Sequence, residues 1–177
     1  MLIDNFMPRY DFSETHDIKI RAKAGDVFRA LNEVDLCESP VIRLLFRLRG
    51  MPARKMTLRE MRKLCFEILG ENENQEIVLG LTGKFWKIKG DIRQINSENF
   101  REFNEKGFAK AAWNFSLSEA GGATRLITET RVQCLDEKSR KDFGFYWTLI
   151  QPFSGWIRKE MLRTIKKHAE KANEDKC

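Results

Sequence analysis

Few residues in this chain can carry chemistry alone, and their spacing narrows the choice. The two histidines, His16 and His168, stand at opposite ends of the chain. The four cysteines, Cys37, Cys65, Cys134 and Cys177, show no Cys-x-x-Cys pair. That pattern gives no zinc site, and it reads as reduced thiols. Cys37, Cys65 and Cys134 are expected to pack as small apolar residues, with Cys177 exposed at the chain end. A catalytic thiol would need a histidine beside it. Glu129 and Arg131 are two apart in a strand-like run and so share a face. They can be an acid–base pair in a pocket, or an ion pair across strands on a wet face with Lys110 or a neighbour. The second reading is preferred. A general base would have to be Glu129 or His16. No Ser-His-Asp set can be assembled, so no catalytic residue is assigned and the reading leans away from an enzyme. There is no Gly-x-Gly-x-x-Gly and no phosphate-loop lysine. No cofactor is expected.

The larger chemical resource is apolar. Trp86, Trp113, Phe115, Tyr146 and Trp147 are the candidate ligand-binding rings, and Thr128 and Thr130 the candidate hydroxyls. Ligand pockets are mostly apolar with a few placed polar groups. The same rings would equally fill a core, and threonine suits a strand without any ligand.

These residues must be positioned by regular elements. Residues 12–22 alternate as a strand, with Ile18 and Ile20 on one face. Residues 25–34 read as a helix with Val27, Phe28, Leu31 and Val34 inward. Ser39-Pro40 is a cap followed by proline at the first helical position, opening a helix through Leu48 that stops near Gly50, with Pro52 beyond. Thr57 and Glu60 have capping-box spacing for a short helix. Residues 66–70 and 76–81 flank a polar turn as a hairpin. Residues 84–95 alternate again, with Trp86, Ile88 and Ile92 on one face and Gly90 as a break. Residues 97–103 read as a short helix or irregular connection. Residues 108–118 place Ala111, Trp113, Phe115 and Leu117 together, and 124–135 place Leu126, Thr128, Thr130, Val132 and Cys134 together. Gly121-Gly122 turns one into the other. Polar-out alternation in both argues for an antiparallel sheet with one wet face. From Asp136 a long helical pattern carries Phe143, Trp147, Ile150, Ser154, Ile157, Met161, Ile165 and Ala169 on one face. Pro152 should kink or split it. Strand, helices, a run of strands and one long helix make an α+β chain.

The totals set the remaining bounds. The 177 residues suffice for one domain, and the composition, 42% apolar and 33% charged, is globular. Residues 1–8 carry no basic start or apolar run of a signal peptide. No stretch is long and apolar enough to span a bilayer, so a cytoplasmic location is expected. The net charge of +6 is local. Between Arg43 and Lys63 stand eight cations and one acid, Glu60, so this stretch nets +7 and the rest −1. A basic helix with Arg43 and Arg47 four apart, and Arg49 beyond, can rest on an anionic membrane, attract an anionic ligand, or be a solvated face. Nucleic acid is disfavoured as a partner, because no aromatics are interleaved with these charges.

Three stretches, Gly80-Leu81-Thr82-Gly83-Lys84-Phe85-Trp86, Ala109 to Phe115 and Thr128 to Val132, together with Tyr146 to Arg158 and the element order, resemble START-like proteins of the SRPBCC superfamily. That superfamily includes pollen-allergen-like and polyketide-cyclase-like proteins. The resemblance implies a single START-like domain over residues 1–177, with its core in 12–170. It implies a helix-grip fold, a curved antiparallel sheet of six to seven strands around a long C-terminal helix. It also implies a cavity between the two that takes a small hydrophobic ligand such as a lipid or polyketide. The alternatives are a cyclase or dehydratase on the same fold, or a membrane-surface or partner-binding module using the basic segment 39–64.

Overall fold

The computed structural model describes residues 1–48, 56–87, 90–119 and 121–174. Arg49, Gly50, Pro52, Ile88 and Cys177, each named in an expectation above, lie outside them. The chain order is α1 (Leu2–Phe6), β1 (Phe12–Ile20), α2 (Ala24–Glu33), α3 (Pro40–Leu48), β2 (Glu67–Asn72), β3 (Glu76–Gly83), α4 (Asn99–Glu102), β4 (Ala109–Glu119), β5 (Thr124–Cys134) and α5 (Glu137–Glu174). Two 3₁₀ turns, Leu36–Glu38 and Arg59–Leu64, flank α3. The five strands form one open antiparallel sheet, in the order β1-β5-β4-β3-β2. The architecture is α+β.

Among the described residues stand five strands, where six to seven were expected. The difference lies in residues 84–95, whose alternation imitates a strand. There the chain folds on itself: Lys84 N–H donates to the Gly90 carbonyl at 2.8 Å, and Gly90 N–H to the Lys87 carbonyl at 3.0 Å. Gly90 and Asp91 take positive φ of 55° and 37°, which breaks any extended run. Among the described residues of this segment the ladder is a single bridge, between Thr82 and Arg93.

The capping signals are realised. Thr57 N–H donates to the Glu60 carboxylate and Glu60 N–H to the Thr57 hydroxyl, both at 3.3 Å, opening a 3₁₀ turn. Ile42 N–H reaches Ser39 Oγ at 3.5 Å at the start of α3. Asp136 caps α5: its Oδ1 accepts from Ser139 N–H at 2.9 Å and its Oδ2 from the Ser139 hydroxyl at 2.7 Å. Gly107 N–H also donates to Oδ2, tying the helix start to the loop before β4. The helix then runs unbroken through Pro152, so of the two expected outcomes, a kink or a split, the split does not occur. Pro152 is exposed, and water can serve the carbonyl that its missing N–H leaves free.

The expected wet face of the sheet is covered where α1 lies on β2, β3 and β4, while Ser13, Thr15, Asp17 and Lys19 of β1 stay exposed. Residues 2–6 form a helix too short to announce itself by periodicity, and no element was expected there. Glu76, buried in β3, accepts from Leu2 N–H at 2.7 Å and Ile3 N–H at 3.1 Å, satisfying two of the orphan donors at the helix start. Ile3, Phe6 and Met7 pack on Leu69, Val78, Phe100 and Ala112. Every residue of β3 is therefore buried. Glu129 and Arg131 pair with each other, Nε to Oε1 at 2.7 Å, beneath this cover. Arg131 also reaches Asp4 at 2.7 Å and the Met7 carbonyl at 3.0 Å. Lys110 instead donates to the Arg101 carbonyl at 3.3 Å, so the expected pairing on a wet face is replaced by a buried clamp on α1. Of the cysteines expected to pack inside, Cys37 is buried and Cys134 half-buried, but Cys65 is exposed, at φ 65°.

The Asp136 cap gives a stability test. Its hydrogen bonds, that from the Ser139 hydroxyl first, hold its carboxyl down to about 2 from the ordinary 3.8. A depressed carboxylate stabilises the fold fully above its ordinary pKa and loses that effect as pH falls toward its folded value. Asp136→Ala is expected to cost about 1 kcal/mol in urea unfolding at neutral pH. The difference from wild type should shrink between pH 4 and pH 2; a penalty unchanged at pH 2 would refute the cap.

Candidate functional site

The site begins with how closely α5 can lie on the sheet. The inward side of β1 alternates Phe12, Glu14, His16 and Ile18, and α5 crosses it. Gly155 sits over Glu14 and His16. A Cβ there would stand 2.7 Å from Glu14 Oε1 and 3.3 Å from His16 Nε2. Glycine permits the helix to approach β1 at this point. Farther across the sheet, toward β4 and β3, α5 and the strands part and leave a cavity of about 370 Å³. That size lies within the range of about 300–1,000 Å³ usual for small-molecule sites.

The sheet contributes Leu81, Ala111, Trp113, Thr130 and Val132 to the wall. The helix contributes Phe143, Trp147, Ile150, Ser154, Ile157 and Met161, all members of the apolar stripe read from the sequence, together with Tyr146 and Arg158. Met61, Phe66 and Phe85 complete the lining, which stays partly open to solvent. One end is an aromatic knot: Phe143 meets Phe12 at 5.1 Å, Phe85 at 5.5 Å and Trp147 at 5.6 Å between ring centres. Edge-to-face and tilted contacts of this kind fix ring orientation.

Of the seven residues singled out from the sequence, Trp113, Thr130, Tyr146 and Trp147 lie on this wall. Trp86 packs behind it, edge-on to Phe85 at 5.7 Å and 6.0 Å from Phe143. Phe115 shares the inward face of β4 but is sunk in the core beneath α2, among residues such as Leu31 and Leu126. Thr128 is likewise inward and fully engaged: its hydroxyl accepts from Trp113 Nε1 at 2.6 Å and donates to the Asn114 carbonyl at 2.8 Å. Trp113 is thereby locked in place, 4.9 Å from Phe115 and 6.1 Å from Phe66. Thr130 differs from Thr128 in one respect, since its buried Oγ1 has no hydrogen-bond partner.

The two residues proposed as a general base do not reach the cavity. Glu129 faces α1 on the opposite side of the sheet, bound to Arg131. His16 lies 2.9 Å from Glu14 Oε1 in a separate groove with Gln151, Trp156 and Lys159. The described wall carries no carboxylate and no imidazole. No thiol lies on it either; Cys134 sits elsewhere, and burial pushes it up to about 12, which keeps it protonated. Among the described residues no group of three or more His, Cys, Asp or Glu is placed to hold a metal.

The residue that sequence reasoning missed is Arg158. It lies on the edge of the apolar stripe, four positions after Ser154, and a charge on such an edge was the available signal. Its guanidinium stands 4.4 Å over the Trp113 ring, a cation–π contact. Its Nε and Nη1 are buried without a hydrogen-bond partner. Desolvation pulls its pKa down to about 10, opposed by the charge of Glu14, so it stays cationic at neutral pH. A buried charge without hydrogen bonds is costly. Arg158→Met should therefore stabilise the ligand-free protein, by up to about 1–4 kcal/mol in urea unfolding. Destabilisation would show that the guanidinium already rests in satisfied surroundings.

No family model matches the chain, and no curated protein matches it. Among solved structures, the crystal structure of TTHA0849 from Thermus thermophilus aligns with a TM-score of 0.37 and 8% identity, over 91% of this chain and 99% of that one. The crystal structure of Ara h 8.0201 aligns with a TM-score of 0.31 and 11% identity, over 89% of this chain and 97% of that one. Likenesses this loose leave the functional reading to the geometry of the chain itself.

Proposed function

We propose that this chain binds a small hydrophobic molecule in the cavity between its sheet and α5, as a START-like helix-grip protein would. The observation that carries the reading is a cavity of about 370 Å³ bounded by large rings. Protein interiors are close-packed and keep few voids larger than a water. An empty apolar cavity lowers stability in proportion to its volume, and an apolar ligand recovers the lost contacts. Trp113, Tyr146 and Trp147 are the proposed contact rings and Thr130 the proposed hydroxyl, with Trp86, Phe115 and Thr128 holding them from behind. Binding is favoured over turnover because the described wall lacks a general base.

The test is titration with Nile red, a neutral dye that brightens in apolar surroundings. Saturable binding is expected for the wild type. Ser154→Trp, which fills the space from the half-buried helix side, should weaken it by about tenfold or more while thermal unfolding stays cooperative. Dye binding that never saturates, or that ignores the filling residue, would end the proposal.

A second reading has one observation behind it. Phe145, Leu149, Phe153 and Trp156 are exposed along α5 at four-, four- and three-residue spacing, and Arg43 and Arg47 are exposed on α3. Exposed apolar residues on one helix and exposed cations on another each suit an anionic membrane surface. Flotation with phosphatidylserine vesicles is expected to carry the protein at low salt and release it at high salt, where charge is screened. Absence of flotation at low salt would remove this reading.

A further inference from the structure

Beside the Tyr146 and Ser154 hydroxyls, the largely apolar cavity wall carries two polar groups that are buried without a partner, and both meet at Trp113. Thr130 on β5 is the cross-strand neighbour of Trp113 on β4. Arg158 comes from α5, with its guanidinium over the face of the same ring. Thr130 Oγ1 and Arg158 Nε and Nη1 are all buried and all without a partner. The Trp113 indole N–H is already used on Thr128, so the ring acts as a platform and competes for neither group.

Nothing among the described residues neutralises this cation directly. The stacking over Trp113 engages the flat face of the guanidinium and leaves its in-plane N–H groups free. Glu14 is the acid whose charge Arg158 feels, yet its Oε1 is bound to His16 and its Oε2 has no partner either. Among the described residues no carboxylate forms an ion pair with Arg158. The requirement is an acceptor-rich anion inside an apolar chamber. A carboxylate meets it, with two oxygens able to take several N–H donors.

We infer that the occupant of the cavity is an apolar acid, whose carboxylate is received by Arg158 with help from Thr130, and whose alkyl or aromatic body lies against the Trp147–Phe143 end. This deepens the hydrophobic-ligand reading and rests on it. In this arrangement Arg158 decides between ligands: a neutral analogue of the same shape leaves its buried N–H groups unanswered, and a site built around a polar partner rejects analogues that lack it.

The experiment uses the full chain with bound Nile red, a neutral probe that reports cavity occupancy without presupposing charge. Displacement by decanoate is compared with decanol, and by 2-naphthoate with 2-naphthamide, at neutral pH. The wild type should release dye at an acid concentration about tenfold below that of the neutral counterpart in at least one pair. In Arg158→Met, with each displacement referred to that variant's own Nile red affinity, the two members of that pair should become equivalent. Thr130→Val should narrow the preference without abolishing it. Equal potency of acid and neutral compound in the wild type, or no displacement by either acid, overturns the anion anchor and leaves the cavity reading standing. A preference that survives Arg158→Met overturns the role of Arg158. Nile red that fails to saturate on the wild type overturns the cavity reading, and the inference with it.

Discussion

A helix can lie close to a twisted sheet along one line only, and in this protein that line is β1. Gly155 lets α5 come within contact of Glu14 and His16, while the Asp136 cap fixes where the helix begins. The two constraints set the angle at which α5 leaves the sheet. Everything between the helix and strands β3 and β4 follows from that angle. Large rings from both layers reach into the widening gap without filling it, and the aromatic knot around Phe143 closes one end.

The opposite face of the sheet shows how polar residues come to be buried without loss. Glu76, Asn114, Glu129 and Arg131 have little exposure. Each is satisfied there: Asn114 donates to Glu76 at 2.6 Å and accepts from Glu129 N–H at 2.9 Å, and Arg131 holds Glu129, Asp4 and the Met7 carbonyl. Buried polar networks are tolerable when every member is paired. The contrast with Arg158 and Thr130 is what gives those two their meaning. On one side of the sheet Glu76, Asn114, Glu129 and Arg131 pair with one another, and only the Thr82 hydroxyl is left over among the described residues; on the other side a cation and a hydroxyl stand open around one ring.

Much of this was legible from residue order. The inward parity of Trp113 with Phe115, and of Thr128 with Thr130, follows from the two-residue period of a strand. The stripe from Phe143 to Ala169 follows from the helical period, and the caps at Ser39 and Thr57 from local hydrogen bonding. Residues 84–95 defeated the same logic, because alternation around Trp86 and Ile92 is compatible with a strand or with a tight loop, and the positive φ at Gly90 and Asp91 decided for the loop. Residues 2–6 gave no periodic signal because a helix of barely more than one turn is held by its tertiary partners, here the Glu76 carboxylate and the side chains around Val78 and Phe100.

Residue order therefore settles the identity of most elements and which side chains share a face, since both arise from neighbours a few positions apart. Which of those faces encloses space was left to the packing of one element on another. Packing sank Phe115 and Thr128 into the core, kept Trp113 and Thr130 at the cavity, and turned Arg158 from one charge among many into a half-buried cation whose Nε and Nη1 are shut off from water beside a largely apolar pocket. The reason is that burial and hydrogen-bond satisfaction are properties of the distance between elements. That distance depends on Gly155 meeting Glu14 across about 140 residues of chain, a separation over which local pattern carries no information.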